Sequence, residues 1–296
     1  MNSGSGAVLR YGDGIAEESA ATSSDPEMAS WIKIQDSLKK RLITGDDFDW
    51  TPPRSNPPST AAEHTSEPPE EEVEGSGAEQ LRYVGGFDVS YSKEDPSMAC
   101  GILVVLDLRN LQVVYEDFCI VDLRVPYVPG FLAFREAPII LQLLEKMKKS
   151  DIRLYPQLLM VDGNGLLHPR GNWCVTTNVL ALDSVSAQLA MWEFWLIYQP
   201  LLHHVDGLTL SGVRQLLQAE ENNDRDYITL SGYSGCTWGV AMRSSAGAMK
   251  PIFISVGHRI SLETAVKIVK LTCKYRMPEP IRQADIRSRA HLRKQD

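Results

Sequence analysis

The chain has 296 residues, 43% of them hydrophobic, and a formal net charge of −8 at pH 7. That apolar content supports a substantial core in one large domain or two small ones. Residues 1–80 hold 16 Asp and Glu against 6 Lys and Arg, and the remainder holds 22 against 24, so the acidity belongs to the N-terminal region and nothing in the rest excludes a polyanionic ligand.

Five cysteines (Cys100, Cys119, Cys174, Cys236 and Cys273) are odd in number and lack Cys-x-x-Cys spacing. They imply neither a zinc site nor a disulfide framework and fit a reducing compartment. The N-terminus has no basic and apolar regions of the secretory kind. The most apolar stretch, 181–202, is interrupted by Asp183, Gln188, Glu193, Gln199 and Pro200, which argues against a membrane span.

In chain order, residues 1–28 are of low complexity and predict disorder. Ser30 reads as the N-cap of a helix reaching about Leu42, with Trp31, Ile34, Leu38 and Arg41 at helical spacing; this defines an N-terminal helical unit at 29–50. Residues 51–80 carry Pro52-Pro53, Pro57-Pro58, Pro68-Pro69 and Glu70-Glu71-Glu72, a flexible acidic insertion. The main domain is placed at 81–290, with 291–296 as a tail.

Within that domain, residues 82–91, 99–107 and 112–121 predict three strands, joined by turn signals too short for anything but an antiparallel meander. Residues 131–149 predict an amphipathic helix and 156–162 a buried strand. Further strands are predicted at 227–230, 237–243 and 251–255, then a helix at 261–275 capped by Ser261 with Glu263 in its first turn. The fold class is α/β, a ribonuclease-H-like mixed sheet flanked by helices. Lys270, Lys274, Arg276, Arg282, Arg287, Arg289, Arg293 and Lys294 form either a phosphate-contacting face or an ordinary solvated one.

Three carboxylates stand out. Asp88 lies among apolar neighbours of the first strand, Glu136 at the start of the helix, and Asp162 at the tip of the fourth strand, ahead of Gly163 and Gly165. If the first and fourth strands are adjacent and parallel, Asp88 and Asp162 converge and Glu136 reaches in from the helix. Clustered carboxylates raise one another's pKa unless a cation neutralises them, and hard oxygens suit Mg²⁺. Taken singly, each Asp is more often a cap or turn residue than a functional one.

Several long motifs carry a resemblance. They are Val84-Gly85-Gly86-Phe87-Asp88-Val89-Ser90-Tyr91, then Pro126-Tyr127-Val128-Pro129-Gly130-Phe131-Leu132-Ala133-Phe134-Arg135-Glu136. Val161-Asp162-Gly163-Asn164-Gly165 follows with His168-Pro169-Arg170-Gly171. The last are Ile254-Ser255-Val256-Gly257-His258-Arg259 with Ser261-Leu262-Glu263, and the Pro-x-Pro-x-Arg-x-Ala-Asp pattern within 278–289. In this order they resemble the endonuclease V family, and residues 31–50 resemble its N-terminal helix.

The resemblance implies a Mg²⁺-dependent endonuclease, with Mn²⁺ as a substitute ion, that cuts one phosphodiester bond beyond inosine on its 3′ side. Animal members act chiefly on inosine-containing single-stranded RNA and bacterial ones mainly on DNA. It implies a monomeric intracellular protein of the cytoplasm or nucleus, including the nucleolus. Asp88, Glu136 and Asp162 are then the metal-binding catalytic carboxylates, and His258 is an auxiliary group beside the metal. Tyr127, between Pro126 and Pro129, becomes a rigid wedge filling the space of an extruded base; read alone, it is a stiff loop. Gly163 and Gly165 let the nucleotide backbone approach. His168 and Arg170 contact phosphate or serve only the turn.

Residues 172–204 depart from the family. Its Gly-x-Ala-x-x-His-x-Gly helix start and its Gly-Val-Ala-Lys-Lys strand are both missing, and no lysine occurs between Lys149 and Lys250. The replacement is apolar, with Trp192, Phe194 and Trp195, and its pattern fits neither lost element. Two readings stand open: a splice variant or a mistaken exon in the gene sequence, or a divergent form that binds inosine-containing nucleic acid with impaired cleavage.

Overall fold

The computed structural model describes residues 26–52, 79–95, 97–125, 128, 131–150, 152–162, 188–193, 209–221, 226–231, 237–244, 250–255 and 257–294. The disorder expected at the N-terminus and most of the proline-rich insertion lie outside these residues.

The chain enters through α1 (Pro26–Lys39). Pro26 opens the first turn, where a missing N–H removes nothing the helix needs. The helix therefore starts ahead of Ser30, the residue expected to cap it, and the unit read as helical over 29–50 is helical only to Lys39. Trp31 stacks on Phe134 with ring centroids 5.1 Å apart and tilts against Phe131 at 5.6 Å. Two short strands follow, β1 (Trp50–Thr51) and β2 (Glu79–Gln80), paired in parallel.

The predicted meander is present as β3 (Tyr83–Tyr91), β4 (Met98–Asp107) and β5 (Gln112–Asp122), all antiparallel. A crossover helix, α2 (Leu132–Ser150), returns the chain to β6 (Leu158–Asp162), which pairs in parallel with β3. Such a connection is what a parallel neighbour requires. The sheet continues through β7 (Gln188–Glu193), parallel to β6. After α3 (Leu210–Glu221) come β8 (Tyr227–Ser231), β9 (Thr237–Met242) and β10 (Ile252–Ser255). The eight-stranded order is β5-β4-β3-β6-β7-β10-β9-β8. Two helices close the fold, α4 (Leu262–Thr272) and α5 (Glu279–Leu292).

Strand alternation sorts side chains onto two faces. Leu103, Val105, Phe87, Leu159 and Val161 pack against Ile139, Ile140, Leu143, Leu144 and Met147 of α2. The opposite face meets the last two helices: Val84, Leu158, Met160, Ile252 and Ile254 pack with Ile268, Val269 and Ile281, and Ile102, Val104 and Leu106 with Ala284. The result is the expected α/β fold, a mixed sheet between helical layers. Among the described residues, no helix is long and apolar enough to cross a membrane.

Besides β1 and β2, three further features were not expected. Helix α3 has Thr209 at its start, with Thr209 Oγ1 accepting from the Gly212 N–H at 3.1 Å, and Val213 and Leu217 one turn apart on its buried side. Strand β7 lies within the atypical 172–204 segment and pairs with β6 and β10. Helix α5 runs to Leu292, so the supposed tail from 291 begins inside a helix.

Helix α5 approaches the sheet closely because Gly86 has no side chain. A Cβ there would sit 2.1 Å from the Pro280 carbonyl oxygen.

Candidate active site

The register settles how the carboxylates meet. The β3–β6 ladder ends at Phe87 opposite Val161, so Asp88 and Asp162 occupy the next step on adjacent parallel strands. Glu136 arrives from the first turns of α2, whose start is held by the aromatic contacts of Trp31 with Phe131 and Phe134. The charges of Asp88 and Asp162 both act on Glu136. Among the described residues, however, no three His, Cys, Asp or Glu side chains close around a single point; the carboxylates feel one another's charge without forming a finished cage.

Glu136 and Asp88 have hydroxyl support. The Tyr91 hydroxyl donates to Glu136 Oε1 at 2.7 Å, and the Arg135 guanidinium lies over the Tyr91 ring, 4.8 Å from its centroid. Ser288 Oγ donates to Asp88 Oδ2 at 2.7 Å. The Ser90 hydroxyl lies 2.7 Å from Ser288 Oγ and 3.5 Å from Asp88 Oδ2. Asp285 and Arg289, ion-paired at 2.5 Å on α5, face Asp88 with opposite charges.

Burial raises the Glu136 carboxyl to about 8, the Tyr91 hydrogen bond opposes the rise, and the charges of Asp88 and Asp162 add to it. Burial also raises Asp88, against the hydrogen bond from Ser288, with Asp285 adding to the rise.

A pH dependence of stability follows. Without a cation, folded Glu136 keeps a proton between its ordinary value of 4.5 and about 8 that the unfolded chain has released. The stability tied to that proton is full below 4.5 and is lost as pH rises through about 8. Thermal unfolding of the metal-free protein is expected to show a falling Tm across this window, with a shallower fall in Glu136→Gln. An equal slope in that variant would place the dependence on other groups.

His258 is buried beyond β10. Its Nδ1 accepts from the Ile43 N–H at 3.3 Å, so the neutral ring carries its proton on Nε2. The segment after α1 braces this turn. Arg259, at φ 61°, donates its backbone N–H to the Ile43 carbonyl at 2.7 Å and pairs with Asp47 at 3.0 Å. Asp46 accepts from the Ser261 N–H at 2.6 Å and from Thr264 Oγ1 at 2.7 Å, reinforcing the predicted Ser261 cap of α4.

The structure thus brings together Asp88, Glu136 and Asp162, and places His258 on a separate, braced turn. Pro126, Tyr127, Pro129, Gly163, Gly165, His168 and Arg170 lie outside the described residues. Sequence reasoning missed Tyr91, Ser288, Asp285 and Arg289 as neighbours of the carboxylates. The available signal was the spacing of Ile281, Ala284, Ser288 and Leu292 on one helical face after Pro278 and Pro280.

The basic C-terminal residues are largely occupied within the chain. Arg282 pairs with Glu279, Arg287 with Glu116, Arg289 with Asp285 and Lys270 with Asp226. His291 bonds to Glu116 at 2.9 Å and stacks on Phe118. Four of the eight basic residues named from sequence, Lys270, Arg282, Arg287 and Arg289, are therefore ion-paired within the chain.

Comparison with known proteins decides the family. The family model described as Endonuclease V matches residues 69–286, a span that contains the whole carboxylate cluster. The chain belongs to the endonuclease V family. It is 40% identical over 284 residues to mouse Endonuclease V, spanning 95% of this chain and 74% of that protein. With human Endonuclease V it shares 37% over 284 residues, 95% and 88% of the two chains. Among solved structures, the catalytic domain of human Endonuclease V superposes with a TM-score of 0.71 at 35% identity, covering 92% of this chain and 98% of that one. Ciona intestinalis Endonuclease V, in complex with a 23mer DNA containing an inosine followed by a ribo-adenosine, gives a TM-score of 0.74 at 30% identity, covering 92% and 100%. Membership of the endonuclease V family makes the chain a nuclease by class, a hydrolase of phosphodiester bonds.

Proposed function

We propose that this member is a monomeric, Mg²⁺-dependent endonuclease that hydrolyses the phosphodiester bond one step beyond inosine on its 3′ side. The substrate is single-stranded RNA, with DNA as a second one and Mn²⁺ as a substitute ion. The observation that carries this reading is the convergence of Asp88, Glu136 and Asp162 from two adjacent parallel strands and the crossover helix.

The donor set fits a hard divalent cation. Three carboxylates sit on rigid elements, and burial and neighbouring carboxylates disfavour the ionised forms of Asp88 and Glu136 unless a positive charge neutralises them. When bound, such an ion supplies water activation and stabilises the leaving oxygen. Asp88, Glu136 and Asp162 would hold it, and Asp285 adds a fourth carboxylate beside Asp88. His258 is oriented by the Ile43 N–H. The Tyr127 ring, between Pro126 and Pro129, would stack in the gap left by the extruded base. Gly163 and Gly165 would admit the nucleotide backbone, with His168 and Arg170 on its phosphates.

A second reading, an inosine-nucleic-acid binder impaired in cleavage, rests on β7. It occupies the sheet position beside β6 with the sequence Gln188-Leu189-Ala190-Met191-Trp192-Glu193, which has no lysine. A preorganised charge near a scissile phosphate is worth about 3 kcal/mol in the transition state. Incubation with inosine-containing single-stranded RNA and DNA in Mg²⁺ separates the two. Cleavage one bond 3′ to inosine is expected. Binding without cleavage would move the chain to the second reading, and absence of both would sink each of them.

A further inference from the structure

We infer that residues 43–47 form a strap that fixes the ring of His258, so that this histidine works as a hydrogen-bond donor through Nε2 and not as a general base. The inference rests on the nuclease reading above and deepens it, by assigning the part His258 plays.

The strap lies between two buried anchors, Leu38 near the end of α1 and Trp50 in β1. Phe48 stacks on Trp50 with ring centroids 3.7 Å apart, and both pack into the core that holds Ile260. Between the anchors the chain crosses the 258–261 turn and holds it at both ends. At the near end, the Ile43 N–H donates to His258 Nδ1 at 3.3 Å, and the Ile43 carbonyl accepts the Arg259 N–H at 2.7 Å. At the far end, one oxygen of Asp46 accepts the Ser261 N–H at 2.6 Å and the other accepts the Thr264 hydroxyl at 2.7 Å. Arg259, between them, has φ 61°, a conformation that residues with a Cβ rarely adopt. Three of its groups are tied to the strap: the N–H to Ile43, the carbonyl to the Asp47 N–H at 3.2 Å, and the guanidinium to the Asp47 carboxylate at 3.0 Å. A strained turn persists where its surroundings over-determine it in this way.

This hold decides where the ring keeps its proton. A neutral imidazole has one N–H and one lone pair. The Ile43 N–H occupies the lone pair of Nδ1, so the proton stands on Nε2. Nε2 then has a proton to offer and no lone pair with which to take one from water. Such a donor suits an oxygen acceptor of the kind a phosphodiester presents. Ile43 and Asp46 are positioning residues: they act through His258.

The test reads the ring first. Nitrogen-15 resonances of the neutral His258 imidazole in the full chain, identified by their loss in His258→Gln, distinguish the two tautomers without any substrate. The parent is expected to show the Nε2–H form. Ile43→Pro deletes the donor and Asp46→Ala the far anchor, and circular dichroism melts confirm that each is folded at the assay temperature. Both are expected to give signals averaged between the tautomers, with Asp46→Asn, which keeps one acceptor oxygen, nearer the parent. Cleavage of inosine-containing RNA is measured second. His258→Gln puts an amide N–H in place of Nε2–H and is expected to stay within ~10-fold of the parental kcat, whereas His258→Ala loses ~100-fold. Asp46→Ala is expected to lower kcat by ~10-fold at constant KM, and to cost nothing further beside His258→Ala. A parent ring protonated on Nδ1, unchanged ring signals in both folded variants, or His258→Gln as slow as His258→Ala overturns the inference. So does an equal loss from Asp46→Ala in both backgrounds. A parent chain with the Nε2–H ring and no cleavage overturns the nuclease reading, and the donor role with it.

Discussion

Asp162→Ala and Asp88→Ala are each expected to lower the rate of cleavage of inosine-containing RNA by ~10³-fold or more, about 4 kcal/mol of transition-state stabilisation. Affinity for the same RNA should stay within about three-fold of the parent, because phosphate contacts and base stacking carry ground-state binding. The loss therefore belongs in kcat with little change in KM. The two variants should differ in stability. Asp88→Ala leaves the buried Ser288 hydroxyl without its carboxylate acceptor, a loss of about 1–2 kcal/mol. Asp162→Ala removes a charge that opposes ionisation of Glu136, so the fall in stability of the metal-free variant with rising pH should be smaller and end at a lower pH than in the parent. Single-turnover cleavage, RNA binding and thermal melts check all three statements. Cleavage within tenfold of the parent in both variants would remove these residues from the metal site.

Gly86→Ala is expected to destabilise the protein by about 3 kcal/mol and to depress cleavage together with stability. The added Cβ would meet Pro280 main-chain atoms at 2.1, 2.3 and 2.9 Å. Backbone cannot rotate aside as a side-chain tip can, so the whole N-terminal turn of α5 must retreat. That helix carries Ser288 to Asp88, and its displacement reaches the candidate site without touching a carboxylate. Gly45→Ala is the matched control, since nothing lies within 4 Å of a Cβ there. Urea midpoints measure the difference; equal midpoints for the two variants would mean that α5 does not pack on β3 as described.

Much of the fold was legible from local pattern. The meander at 82–121, the α2 helix and the buried β6 strand each announce themselves through alternation, helical spacing and turn residues, which are properties of neighbours in the chain. Ser261 capping α4 is of the same kind: its side chain accepts from the Thr264 N–H, three residues on. The errors also have local causes. Ser30 looks like a cap, but Pro26 offers an earlier start. Gln188 to Glu193 carries no clean alternation, and it becomes a strand because β6 and β10 supply partners on both sides.

The carboxylates Asp88, Glu136 and Asp162 could be singled out from sequence because each ends or interrupts an apolar run at a position where an unpaired charge is expensive. Sequence by itself therefore determined the elements, the fold class and the candidate ligands. Only the tertiary structure decided that β3 and β6 are adjacent and parallel, which sets the charges of Asp88 and Asp162 to act on Glu136. It alone decided that Ser288 reaches Asp88 across 200 residues of chain, and that Arg282, Arg287 and Arg289 are engaged by acidic partners. The reason is physical. Helices and turns are selected by interactions a few residues apart, whereas the support of the site comes from hydrogen bonds and close backbone contacts made when distant elements pack.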